Sequence, residues 1–183
     1  MATQGNNGPR ILFILGSKSD RDKVGPALEL VNRVGVEYDT AVISAHRDLP
    51  ELMEMMEIIP TTAVKVVIAV AGMAAALPGI VAAGLKGKGI LVIGVPLSSS
   101  VHPDGLDALF SITQVPAGLP LVCAGVDAAG VINATLAALE VMVMTGDCEQ
   151  NLLLEEYSRR KEEKPVVWPD SIPRPNMDEK KGN

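Results

Sequence analysis

Val66-Val67-Ile68-Ala69-Val70-Ala71-Gly72-Met73-Ala74-Ala75-Ala76-Leu77-Pro78-Gly79-Ile80-Val81-Ala82-Ala83-Gly84-Leu85 decides the fold. It carries no charge and is long enough to cross a bilayer, which takes about 20 residues. Its two halves differ, however. The first is β-branched and suits a strand; the second is Ala-rich and suits a helix; Gly72 falls between them. The stretch therefore predicts a buried strand, a glycine turn and a buried helix, with no membrane span.

The same strand–turn–helix grammar repeats on either side. Residues 11–15 (Ile-Leu-Phe-Ile-Leu) form a short apolar strand, followed by Gly16-Ser17-Lys18-Ser19-Asp20. A helix is expected over 20–34, with Val24, Leu28, Val31 and Val34 on one face and Gly35 as its stop. Residues 37–43 are strand-like. Asp48 is expected to cap a helix, with Glu51 three residues on and Pro50 in the first turn, ending at Ile59 before Pro60. Strands are expected over 64–70, 90–95 and 119–126, and helices over 74–84, 106–114, 128–144 and 152–164. Strands without alternation are buried on both faces, so the pattern predicts an α/β fold: a parallel sheet covered by helices on both sides. Residues 1–164 are expected to form one domain including a C-terminal helix. The Pro-rich tail, 165–183, is expected to be extended or partly disordered.

The composition narrows the class further. The chain has 183 residues, enough for one domain with a real core. Mean hydropathy is +0.26 while aromatics make up only 3%, so Ala, Val, Leu, Ile and Met must build that core. Surplus apolar surface of this kind favours a homo-oligomer. A net charge of −6 argues against a nucleic-acid partner. Cys123 and Cys148 have neither metal-ligand nor disulfide spacing, and the N-terminus lacks a basic-then-apolar signal pattern. A reducing cytoplasm and no metal are therefore expected.

In open parallel sheets ligands bind at the carboxyl ends of the strands. That edge would collect Gly16–Asp20, Ser44-Ala45-His46-Arg47, residues 71–79 and the Ser-rich loop 96–105. Ser17, Ser19 and Asp20 could hold a phosphate and a ribose; the alternative is an ordinary helix cap. Arg47 can clamp an anion, and His46 can move protons near neutral pH. His102, the only other histidine, reads as a surface residue. Residues 71–79 offer backbone amides and close approach, or else close helix–strand packing. Asp107 reads as a helix cap.

Together these motifs, with Gly105-Leu106-Asp107-Ala108-Leu109-Phe110-Ser111-Ile112-Thr113-Gln114-Val115-Pro116-Ala117-Gly118-Leu119-Pro120, resemble the carboxyaminoimidazole ribonucleotide mutase family of purine biosynthesis. The family is also called the phosphoribosylaminoimidazole carboxylase catalytic subunit. The resemblance covers residues 11–144. It implies a flavodoxin-like three-layer αβα sandwich assembled as an octamer, with sites at subunit junctions and no metal or organic cofactor. The implied substrate is N5-carboxyaminoimidazole ribonucleotide, whose carboxylate moves from the exocyclic nitrogen to C4. By analogy Ser17, Asp20 and Arg47 hold the ribose phosphate region, and Ser19 and Ser44 assist. Ala71, Gly72, Ala74 and Leu77 cover the base and the migrating carboxylate, and His46 is catalytic.

The chain departs from the mutase pattern at Ala76, where a His usually precedes Leu-Pro-Gly. The CO2-using carboxylase branch also lacks that His but typically has Ser-Asn at the positions of Ala74-Ala75. Pro78 and residues 105–120 look mutase-like, and Asp48 stands where Thr is common. A CO2-dependent aminoimidazole ribonucleotide carboxylase, or a divergent paralogue binding a related nucleotide, is therefore the alternative. His102, expected on the same sheet edge, is the proposed substitute for the missing side chain.

Overall fold

A computed structural model describes residues 8–160. Five strands, β1 (Ile11–Leu15), β2 (Tyr38–Val42), β3 (Val66–Gly72), β4 (Leu91–Leu97) and β5 (Val122–Cys123), form one sheet in the order β2-β1-β3-β4-β5. Every pairing is parallel. This is the flavodoxin-like order, in which the chain reverses its winding between β1 and β3.

Six α-helices cover the sheet: α1 (Arg21–Val34), α2 (Leu49–Ile58), α3 (Ala76–Gly84), α4 (Leu106–Thr113), α5 (Asp127–Thr145) and α6 (Gln150–Arg160). Each strand sends alternate side chains to opposite faces. Phe13, Ile68 and Val95 join Val31 of α1 and Ala138 of α5 in one core. Ile14, Val67 and Val92 join Leu52 of α2, Val81 of α3 and Ile112 of α4 in the other. The result is the expected three-layer αβα sandwich.

The stretch 66–85 divides as its composition predicts, into β3 and α3. Helix α3 begins two residues later than expected because Met73 and Ala75 are left-handed, at φ 56° and 40°. Among the described residues the one helix long and apolar enough to cross a membrane is α5. Its Val131, Ala134, Ala138 and Met142 are buried against the sheet and α1.

Other boundaries shift for local reasons. A single 3-10 turn, Lys18–Asp20, precedes α1. On α1 the buried face is Val24, Ala27, Leu30, Val31 and Val34, with Leu28 only partly covered. Helix α2 ends before Pro60 as expected, at Ile58, one residue before the expected Ile59; Pro60 then sits inside the 3-10 turn Ile59–Thr61, where a missing N–H costs little. The expected strand 119–126 shrinks to two paired residues, Val122 and Cys123, opposite Ile93 and Gly94 of β4. The expected tail 165–183 and the end of the helix expected over 152–164 lie outside the described residues.

Two charged contacts pin the helices. Glu156 of α6, buried at 3% exposure, accepts both Nε and Nη2 of Arg33 on α1, each at 2.9 Å. Asp147, just past α5, accepts from Arg10 Nε (2.8 Å), Lys65 Nζ (2.5 Å) and Thr145 Oγ1 (2.5 Å). Burial pushes the Asp147 carboxyl up, but the Lys65 and Thr145 hydrogen bonds and the Lys65 and Arg10 charges outweigh it and hold it below the ordinary range. A lowered folded-state value stabilises the fold above the unfolded value of about 3.9 and is lost as pH falls through the folded one. Asp147→Asn is therefore expected to lower stability at pH 7 by about 2 kcal/mol. Denaturant titrations of the two proteins should converge as pH drops below about 3.9; a gap unchanged with pH would refute the charge-based account.

Candidate active site

The carboxyl ends of β1 to β4 open into a cavity of about 710 Å³. It lies beside the β1/β3 reversal, where flavodoxin-like sheets leave a crevice. All ten residues picked from the sequence line it: Ser17, Ser19, Asp20, Ser44, His46, Arg47, Ala71, Gly72, Ala74 and Leu77.

The first wall is the turn after β1. Ser17 Oγ accepts the Ser19 amide (3.3 Å) and Asp20 Oδ2 accepts the Ser17 amide (2.9 Å), a reciprocal capping box. The helix cap read as an alternative thus exists, and it leaves ligand-binding capacity in place. The Ser17 and Ser19 hydroxyls lie 2.9 Å apart, both on the cavity wall. Half-burial pushes the Asp20 carboxyl up, against the lowering effects of the Ser17 amide, Lys23 and Ser19.

The second wall follows β2. Arg47 N (3.2 Å) and Asp48 N (2.8 Å) donate to the Ser44 carbonyl, and Ser44 N donates to Asp48 Oδ2 (3.0 Å). The expected cap at Asp48 is not formed by its side chain. That carboxylate instead reaches back to Ser44, closing the turn from which exposed His46 and Arg47 stand out.

The third wall, residues 71–77, carries no ionisable side chain. Its left-handed Met73 and Ala75 store backbone strain of the kind that collects at ligand sites. Met73 is 58% exposed, whereas Leu77 is buried.

The fourth wall is built from residues that no sequence motif singles out one by one. Ser98, Ser99 and Ser100 line the cavity, as does Lys23. The strand-end rule already placed the serine-rich loop on this edge, and Lys23 lies one helical turn beyond Asp20. Lys23 Nζ meets Asp127 Oδ1 at 2.5 Å, a partner 104 positions away that no local pattern announces. Burial pushes the Asp127 carboxyl up, but the Lys23 and Ser98 hydrogen bonds win and hold it low.

His102 is exposed and is not among the cavity-lining residues of this chain. Asp107 accepts the Ala108 amide (2.8 Å) and also stays outside the cavity. No group of three or more His, Cys, Asp or Glu side chains able to hold a metal occurs among the described residues.

A family model described as AIR carboxylase matches residues 10–164. The N5-carboxyaminoimidazole ribonucleotide mutase of Vibrio vulnificus is 37% identical over 164 residues, covering 90% of this chain and 98% of that one. That of Methanocaldococcus jannaschii is 40% identical, covering 82% and 90%. That of Escherichia coli K12 is 34% identical, covering 90% and 95%. The crystal structure of Treponema denticola PurE superposes with a TM-score of 0.65 at 23% identity, covering 83% of this chain and 90% of that one; it supports the fold.

Proposed function

The chain belongs to the AIR carboxylase family, and from that premise we propose that it is a mutase of purine biosynthesis. It moves the carboxylate of N5-carboxyaminoimidazole ribonucleotide from the exocyclic nitrogen to C4, giving 4-carboxy-5-aminoimidazole ribonucleotide. One observation carries this reading. The cavity is lined by one imidazole, His46, together with groups suited to an anion and with residues 71–77, none of which is ionisable.

Arg47 and the Ser17 and Ser19 hydroxyls suit the ribose phosphate. Asp20, short of water, gains from a ribose hydroxyl donor, and Ser44 assists. The His46 imidazolium donates its proton to the exocyclic nitrogen as the N–CO2 bond breaks. Neutral CO2 remains under Ala71, Gly72, Ala74 and Leu77, where the apolar surroundings do not disfavour it. C4 then attacks the carbon of CO2, and His46 removes the C4 proton, which regenerates the imidazolium and rearomatises the ring. Holding CO2 next to C4 makes recapture effectively intramolecular.

Two helix faces favour assembly of copies into the octamer. Leu49 and Met53 on α2, and Leu106 and Phe110 on α4, are apolar i,i+4 pairs each more than 40% exposed. The reaction needs no added cofactor and belongs in the cytoplasm, where nucleotide precursors are made.

A second reading, CO2-dependent carboxylation of aminoimidazole ribonucleotide, is favoured by Ala76, which offers no imidazole where the mutase pattern has one, although Ala74-Ala75 do not match the Ser-Asn of that branch. Purified protein given N5-carboxyaminoimidazole ribonucleotide, or aminoimidazole ribonucleotide with bicarbonate, separates the two. Turnover of the first substrate alone is expected. Turnover only with bicarbonate would make it the carboxylase, and turnover of neither would sink both readings. Light scattering on the same preparation reads the assembly, and a monomer would refute the octamer.

A further inference from the structure

Lys23 carries the charge expected of a phosphate ligand, yet its ammonium is already committed. Nζ donates to Asp127 Oδ1 (2.5 Å), Ser98 Oγ (2.9 Å) and the Ser98 carbonyl (3.1 Å). An ammonium has three protons, so none is left for a ligand. Asp127 Oδ1 also accepts the Ser98 amide and hydroxyl, both at 2.9 Å. Every polar group of Ser98 is thereby held.

Two further features converge on Ser98. Asp127 adopts φ 55°, which costs energy for any residue with a side chain. Gly105, at φ 67°, closes from another side: a Cβ there would lie 3.2 Å from Ser98 N and 3.0 Å from Val126 Cγ1. Beyond Ser98 the chain turns through residues 99–102, closed by Ser99 N to the His102 carbonyl and His102 N to Ser99 Oγ, each 3.0 Å. Ser99 and Ser100 face the cavity. The Lys23–Asp127 pair is about one-third exposed, so as an isolated ion pair it adds little to stability. Its placement serves geometry.

We propose that Lys23 and Asp127 are positioning residues: a strut that fixes Ser98 and so sets the Ser99 and Ser100 hydroxyls on the cavity wall to bind substrate. The proposal rests on the reading that this cavity takes the ribonucleotide.

Asp127→Ala and Lys23→Met are each expected to raise KM about tenfold, the loss of one well-placed hydrogen bond, with a smaller change in kcat. The double variant should be no worse than either single change, because the pair acts as a unit. Lys23→Arg should keep most of the affinity. Ser100→Ala should raise KM in the wild type and add nothing in the Asp127→Ala background. A lowered Tm with unchanged KM would mark a merely structural pair and overturn the proposal, as would additive Ser100→Ala losses. If Asp127→Ala does not fold, the comparison of Lys23→Met with Lys23→Arg decides. If the wild type turns over neither substrate, the mutase and carboxylase readings fail instead. Calorimetric binding of aminoimidazole ribonucleotide then reads the same cycle.

Discussion

His46→Asn is expected to cut kcat about a thousandfold, the usual worth of a positioned general acid–base, while leaving Tm and substrate binding close to wild type. The loss should be confined to chemistry because the imidazole is exposed and is not part of what closes its turn. The turn is held by the Arg47 and Asp48 amides on the Ser44 carbonyl and by Asp48 Oδ2 on the Ser44 amide. Under the proposed mechanism both proton transfers pass through this ring. Asn keeps a polar group in the cavity but cannot carry a proton between nitrogen and C4. Steady-state turnover, thermal melting and ribonucleotide binding on the same preparation check it. A drop of less than about tenfold would remove His46 from the proton path. A matching fall in Tm would make the effect structural.

Gly130→Ala should be the most damaging single methyl in the described chain. An added Cβ would lie 2.3 Å from the Gly125 carbonyl oxygen and 2.4 Å from its carbon, with Val95 Cγ1 at 3.1 Å. The obstruction is backbone, so no side chain can rotate away. Nor can α5 slide freely: the Gly130 amide donates to the Val126 carbonyl, and the helix packs along α1 and β4. Overpacking of this kind costs about 3 kcal/mol or more. Because Asp127 opens α5, any shift also loosens Ser98 and the cavity wall, so residual folded protein should show a raised KM. Gly25→Ala is the control. Nothing beyond its chain neighbours lies within 4 Å of its Cβ position in α1; the following Pro26 disfavours helical backbone at a residue that carries a Cβ, so the change should cost no more than about 1 kcal/mol. Denaturant unfolding of both variants decides. A Gly130→Ala protein within about 0.5 kcal/mol of wild type would show that the Gly125–Gly130 contact is not tight in solution.

Local chemistry determines a good deal of this protein before any folding is considered. Uninterrupted apolar runs fit strands buried on both faces, which is why residues 11–15 read correctly and the strand expected over 64–70 forms, shifted by two residues to Val66–Gly72, in a doubly covered parallel sheet. Since every such strand delivers its carboxyl end to one edge, the polar turns at 16–20 and 44–47 and the small-residue turn at 71–77 could be assigned to one place without knowing a distance. Gly35 at the end of α1 was legible for a similar reason, its φ of 78° being open to glycine.

Tertiary contacts decided the rest. The fifth strand is only Val122–Cys123 because pairing with β4 is limited to that register, something its composition does not reveal. Asp48 has the identity of a cap, but its carboxylate turns back to Ser44 because the 44–48 turn puts that amide within reach. His102 shares an edge with the cavity in sequence order, yet the turn at 99–102 keeps it outside the lining. Lys23, read alone, is a solvent cation after a phosphate-like turn. Only the docking of α5 on α1 brings Asp127 to it and converts a ligand-type charge into a brace for Ser98. Hydrophobic period and turn chemistry act over a few residues and so are written in the chain. The partners of a charged side chain are set by which elements pack together, and over 104 positions that is a property of the folded sheet and its helices.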